Sequence, residues 1–151
     1  MNWQVKHIIT ALALGVFAFG AQAVAGTPSA RAATPGQATS LAQAVAQGKQ
    51  IFDHDKFGGV RTCSACHING GTTLGRLPNG AKIPSLIGVA AQFPRFNPKQ
   101  HRVITLEQQL VHCIEGGLQG KAPAFDSPPM TDLVTYLTSL SKGAVMGKQF
   151  K

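Results

Sequence analysis

Residues 61–70, Arg-Thr-Cys-Ser-Ala-Cys-His-Ile-Asn-Gly, hold two of the chain's three cysteines, Cys63 and Cys66, with His67 directly behind. Two thiols two residues apart can add to the two vinyl groups on one edge of a haem. The adjacent imidazole then lies under the iron as its proximal ligand, and Cys-x-x-Cys-His is the attachment signature of c-type haem. A thioredoxin-like redox pair would need a βαβ setting that the sequence pattern does not show. A structural zinc site needs four ligands, and no second Cys pair exists. An exported disulfide would leave His67 without a role. One covalently bound haem c is therefore expected, with Cys63 and Cys66 attaching it and His67 ligating the metal.

The third cysteine, Cys113, is left without a disulfide partner. At ~100° per residue, Leu106, Leu110, Cys113, Ile114 and Gly117 share one arc of a helix, and His112 points to the opposite side. This places Cys113 toward the core and the haem, and His112 toward water. A small buried apolar cysteine is the plainer alternative. Two methionines compete for the sixth iron position. Met130 opens the final helix on its apolar face, where core packing accounts for it. Met146 lies in a Gly/Lys tail expected to fray.

The elements that must position these groups are mostly helical. Ser40 is a candidate N-cap with Gln43 at the capping-box position, and a helix is expected over Leu41–Phe52. Residues 68–99 are rich in Gly and Pro. The turn Pro78-Asn79-Gly80 there should join short extended pieces at Leu74–Leu77 and Ala81–Ile83, and Ser85–Ala91 could form a short helix. Such a long loop suits a segment wrapped around a cofactor. Thr105 and Gln108 form a second capping box, opening a helix that Gly116-Gly117 should stop near Glu115. A third helix is expected over Pro129–Ser141, capped by Ser127, with prolines in its first turn and Gly143 at its end.

The first 25 residues read as a signal peptide: Lys6 in a short polar head, an apolar run from Ile8 to Phe19, and cleavage near Ala23 or Ala25. The run is short of the ~20 apolar residues a bilayer span needs. Residues 26–40 read as a flexible leader, 41–142 as the domain and 143–151 as a tail. The expectation is an exported, periplasmic domain with no membrane association after cleavage. The sequence carries 14 Lys+Arg against 6 Asp+Glu. The basic residues are dispersed, which suits an acidic docking face or a small anion rather than nucleic acid.

Gly48-Lys49-Gln50-Ile51-Phe52, the Cys63–His67 motif, Pro84-Ser85-Leu86 and Leu133-Val134-Thr135-Tyr136-Leu137 together resemble a single-haem cytochrome c domain. The resemblance implies an all-α fold, three main helices around the haem, with the first and last helices crossing. It also implies that the Pro84 carbonyl accepts the ring N–H of His67.

Phe93-Pro94-Arg95-Phe96, Ile104 to Leu110, Cys113, Gly120-Lys121, Asp126-Ser127-Pro128, Met130 and Tyr136-Leu137 are more closely similar to the haem domains of thiosulfate dehydrogenases and of the A subunit of the Sox thiosulfate-oxidising system. In those families the cysteine matching Cys113 ligates iron opposite the histidine. Gln109 departs from them, since a basic residue usually precedes that cysteine, and this chain has one Cys-x-x-Cys-His where the enzymes usually have a second haem.

The resemblance implies one-electron transfer in sulfur-compound oxidation, with another cytochrome or redox enzyme as partner. The alternative is a catalytic haem-thiolate subunit. Cys113 would then be at the reacting centre, and Arg95, Lys99, Arg102 or Lys121 would hold a small anionic substrate.

Overall fold

The computed structural model describes residues 37–148. The expected signal peptide, most of the leader and the last three residues lie outside that range.

Helix α1 spans Leu41–His54. Ser40 is extended, and its hydroxyl accepts from the Gln43 N–H at 3.1 Å. The Gln43 side chain reaches back one residue beyond the cap, accepting from the Thr39 N–H at 2.9 Å. Ala44, Gly48 and Phe52 form the buried stripe at four-residue spacing. Helix α3 spans Pro128–Ser139, with its prolines at the first two positions, where no intrahelical N–H is needed. Its expected cap is only partly realised. Ser127 stands at the N-cap, but its hydroxyl donates to the Ala124 carbonyl at 2.6 Å and makes no bond to the helix.

α1 and α3 pack directly on one another at Gly48. A Cβ there would lie 1.9 Å from the Asp132 carbonyl oxygen and 2.8 Å from the Tyr136 Cβ, so only glycine permits the approach. The core around this crossing contains Phe52, Ile104, Ile114, Met130 and Leu133 as its largest fully buried side chains.

The Gly/Pro-rich middle is more structured than a wrapped loop. Strands β1 (Gly75–Arg76) and β2 (Lys82–Ile83) pair antiparallel around the Pro78-Asn79-Gly80 turn, where the expected extended pieces lie. A 3-10 turn over Val89–Gln92 replaces the short helix expected from Ser85. Strands β3 (Arg95–Asn97) and β4 (Arg102–Ile104) form a second hairpin in the register Arg95↔Ile104 and Phe96↔Val103. An all-α fold is therefore too narrow a description. The described residues form three α-helices and two short hairpins.

Helix α2 spans Leu106–His112, opened by a complete capping box between Thr105 and Gln108. It is not stopped at Gly116-Gly117. From Cys113 the winding loosens to a π-helix that runs to Leu118 and ends at Gln119 in the left-handed region. The tail is not frayed through its described part, because the Gly147 N–H donates to the Ala91 carbonyl at 2.9 Å and Gln92 donates to the Lys148 carbonyl at 2.6 Å. No helix among the described residues is long and apolar enough to cross a membrane.

Candidate functional site

The cysteine motif folds as a 3-10 turn over Cys63–Ala65. The Cys63 carbonyl accepts from the N–H groups of Cys66 at 3.2 Å and His67 at 3.0 Å, so all three functional residues hang from one tight turn. That turn is anchored on both sides. The Ser64 hydroxyl donates to the Asp53 carbonyl at the end of α1 at 3.0 Å. On the other side the Arg76 N–H of β1 donates to the Cys66 carbonyl at 3.0 Å. A Cβ at Gly75 would lie 2.1 Å from that carbonyl oxygen, so β1 packs against the motif only because residue 75 is glycine.

Cys63 is buried and Cys66 half-buried, and neither forms a disulfide. Burial first, then the neighbouring Cys113, pushes the Cys63 thiol up to about 12. Burial also holds the His67 imidazole below its ordinary pKa, so the ring is kept neutral, the form that ligates metal. The ring packs near Phe52 at 6.2 Å between centroids. Its Nδ1 is buried without a hydrogen-bond partner. The Pro84 carbonyl therefore does not accept from His67, contrary to expectation; Pro84 is exposed at the foot of β2.

Cys113 reaches this site through the backbone. The Val60 N–H donates to the Leu118 carbonyl at 2.9 Å, and the Lys121 N–H donates to Phe57 at 2.8 Å. The Arg61 guanidinium donates to the Gly117 carbonyl at 3.0 Å. These bonds lay the segment entering the motif along the π-helical turn that begins at Cys113.

Contrary to the helical-arc expectation, Cys113 is exposed. The reason is the change of winding. Leu106, Leu110, Ile114 and Leu118 take the buried stripe, and Cys113 falls at its edge, where α winding gives way to π. A structural apolar cysteine would be buried. His112 is exposed as expected, its ring bonded to Gln100. Met130 is 1% exposed in the core and Met146 is 72% exposed in the tail.

The proposed anion-holding residues are not all free. The Arg95 guanidinium lies 4.7 Å from the Phe93 ring centroid and donates to Gln109 at 3.1 Å. Arg102 donates to Gln100 at 3.1 Å. Lys99 and Lys121 are exposed. Sequence reasoning gave no role to Arg61 or Gln109, whose partners lie across the fold or one helical turn away.

A covalently attached haem fits this donor set: two unpaired thiols on one turn, a half-buried imidazole behind them, and a third thiol on the turn that packs along the segment entering the motif. Among the described residues no three His, Cys, Asp or Glu side chains cluster as a bare-ion site would need.

Comparison with known proteins agrees. Residues 47–146 match the family model of the SoxA/TsdA cytochrome c domain. A thiosulfate dehydrogenase of Allochromatium vinosum is 31% identical over 144 residues, covering 90% of this chain and 52% of the relative. Another, from Psychrobacter arcticus, is 27% identical over 110 residues, covering 69% of this chain and 32% of the relative. The chain thus spans about half the length of the first and a third of the second. The structure of a thiosulfate dehydrogenase (TsdBA) from Marichromatium purpuratum shares the fold with a TM-score of 0.56. It is 20% identical, and the match covers 76% of this chain and 26% of that one.

Proposed function

The chain belongs to the SoxA/TsdA cytochrome c domain family, and on that premise we propose that it is an exported, periplasmic one-electron carrier in sulfur-compound oxidation. One haem c would be attached through Cys63 and Cys66, and His67 and Cys113 would be the residues that hold its iron. Bound haem supplies the ferric/ferrous couple, which passes one electron at a time. The chain's own residues do the rest. The turn at Cys63–Ala65 fixes attachment, burial keeps His67 neutral, and the segment 57–61 holds Cys113 beside the motif. Another cytochrome or redox enzyme with an acidic docking face is the partner that the basic surface suits.

The observation that supports the ligand assignment is that the segment entering the motif is hydrogen-bonded to the turn that begins at the exposed Cys113, while Met130 is sealed in the core. The test is the ferric spectrum of the purified haem-loaded chain. Acid extraction should leave haem on the polypeptide, and Cys113→Ala should convert low-spin iron to a high-spin or ligand-exchanging form. A wild-type low-spin spectrum in Cys113→Ala overturns the assignment.

The names of the relatives favour a second reading, a catalytic subunit acting on thiosulfate. Joining two thiosulfates through a new S–S bond as tetrathionate releases two electrons, and one haem accepts one. A second haem or partner would take the other. Reduction of an artificial acceptor by the purified chain with thiosulfate distinguishes the two: the carrier reading expects no turnover.

A further inference from the structure

Gln109 stands where the resembled families usually carry a basic residue, and the structure gives it a definite place. It sits on α2 one turn before Cys113. Its Nε2 donates to the Cys113 sulfur at 3.4 Å, while its Oε1 accepts from the Arg95 guanidinium at 3.1 Å. The two ends of an amide are hard to tell apart from shape alone. Here the partner decides, because a guanidinium has donors only. The oxygen must face Arg95, and the N–H₂ group must face the sulfur.

Arg95 is itself fixed. It lies over the Phe93 ring at 4.7 Å. It pairs in β3 with Ile104, whose side chain is fully buried, and Thr105 then caps α2 directly. The β3–β4 hairpin and the helix it feeds thus hold the guanidinium and the amide in register. The backbone adds a second tie, since the Cys113 N–H is shared between the Gln109 and Leu110 carbonyls where the winding changes.

We propose that Gln109, oriented by Arg95, is a positioning residue that donates a hydrogen bond to the Cys113 sulfur and thereby tunes the iron's reduction potential. This rests on the reading of Cys113 as an iron ligand. A hydrogen bond to an anionic sulfur is charge-assisted. It draws electron density away from the sulfur, weakens thiolate donation to ferric iron and raises the potential, as hydrogen bonds around a metal's ligands do. A neutral donor does this without adding a net charge beside the ligand, which a basic residue would.

The test is potentiometric titration of the haem-loaded full chain. Gln109→Leu should lower the potential. Gln109→Glu keeps an oxygen for Arg95 but removes the donor, and should lower it at least as far. Arg95→Met should shift it the same way by less, because the amide is then free to turn. In a Cys113→Met background the Gln109→Leu shift should largely disappear, which isolates the N–H···S contact from general effects on the site.

A Gln109→Leu potential equal to wild type, or an equal shift in the Cys113→Met background, overturns the proposal alone, provided that Cys113→Met changes the iron spectrum. An unaltered spectrum in Cys113→Met removes the ligand reading and this proposal with it.

Discussion

The Tyr136 hydroxyl of α3 donates to the Gly70 carbonyl at 2.7 Å, joining the last helix to the segment just behind the haem motif. The same ring packs on Phe52 at 5.4 Å, and Phe52 packs near His67. The last helix therefore supports the His67 imidazole through two aromatic rings and one hydrogen bond. Tyr136→Phe keeps the rings and removes the bond. It should cost about 1 kcal/mol, lowering Tm by roughly 4 °C or more in a domain of this size. The iron spectrum should not change. A melt identical to wild type would show that the hydroxyl contributes nothing.

Gly48→Ala tests the helix crossing. In an open helix, alanine would be favoured by about 1 kcal/mol. Here the added methyl would sit 1.9 Å from a backbone oxygen of α3, which cannot swing aside as a side chain would. The helices must separate, and we expect a loss of about 3 kcal/mol, read as a lower denaturant midpoint. An unchanged or raised midpoint would mean that the crossing is looser than the geometry shows.

The parts of the fold governed by neighbours in sequence were legible in it. The Thr105–Gln108 box, the prolines opening α3 and the Pro78-Asn79-Gly80 turn each act within a few residues. What escaped depends on contacts made across the chain. β3 and β4 are three residues each, and prolines at 94 and 98 disguise the first. The clue available was the β-branched pair Val103-Ile104 ahead of the Thr105 cap. The winding at Cys113 escaped too, because two glycines read as a stop when i→i+5 bonding can carry a helix through them. Of the site, residues 63, 66 and 67 follow from spacing alone. Arg95 followed only as a positive charge, and its tie to Gln109 needed the unforeseen hairpin.

Asp132 offers a pH test away from the haem motif. It is 4% exposed on α3, and burial raises its carboxyl above the ordinary 3.8. The unfolded chain then ionises first as pH rises. Stability is lost between the unfolded and folded values, and stays lost at neutral pH. Asp132→Asn keeps the shape without the charge and should raise Tm at pH 7. The gain should disappear below about pH 3.8, where both states of the wild type are protonated. A lower Tm for Asp132→Asn at pH 7 would mean that the carboxylate has a stabilising partner.

Met130 provides the complementary test of the sixth ligand. It is 1% exposed and packs in the cluster with Phe52, Leu133 and Leu137. A side chain whose work is packing tolerates a swap of similar volume and not a deletion. Met130→Leu should cost less than about 1.5 kcal/mol, while Met130→Ala should cost about 3 kcal/mol through lost burial and a cavity. Neither should alter the ferric absorption or electron paramagnetic resonance of the haem-loaded chain. The leucine variant is decisive because it removes the thioether while preserving the core. If Met130→Leu melts like wild type yet loses the low-spin signal, methionine is the ligand and Cys113 is a spare surface thiol. If stability and spectrum both persist, the Met130 thioether has no part at the iron, and Cys113→Ala beside Met146→Leu then separates the two sulfurs that remain, the thiol at 113 and the tail thioether.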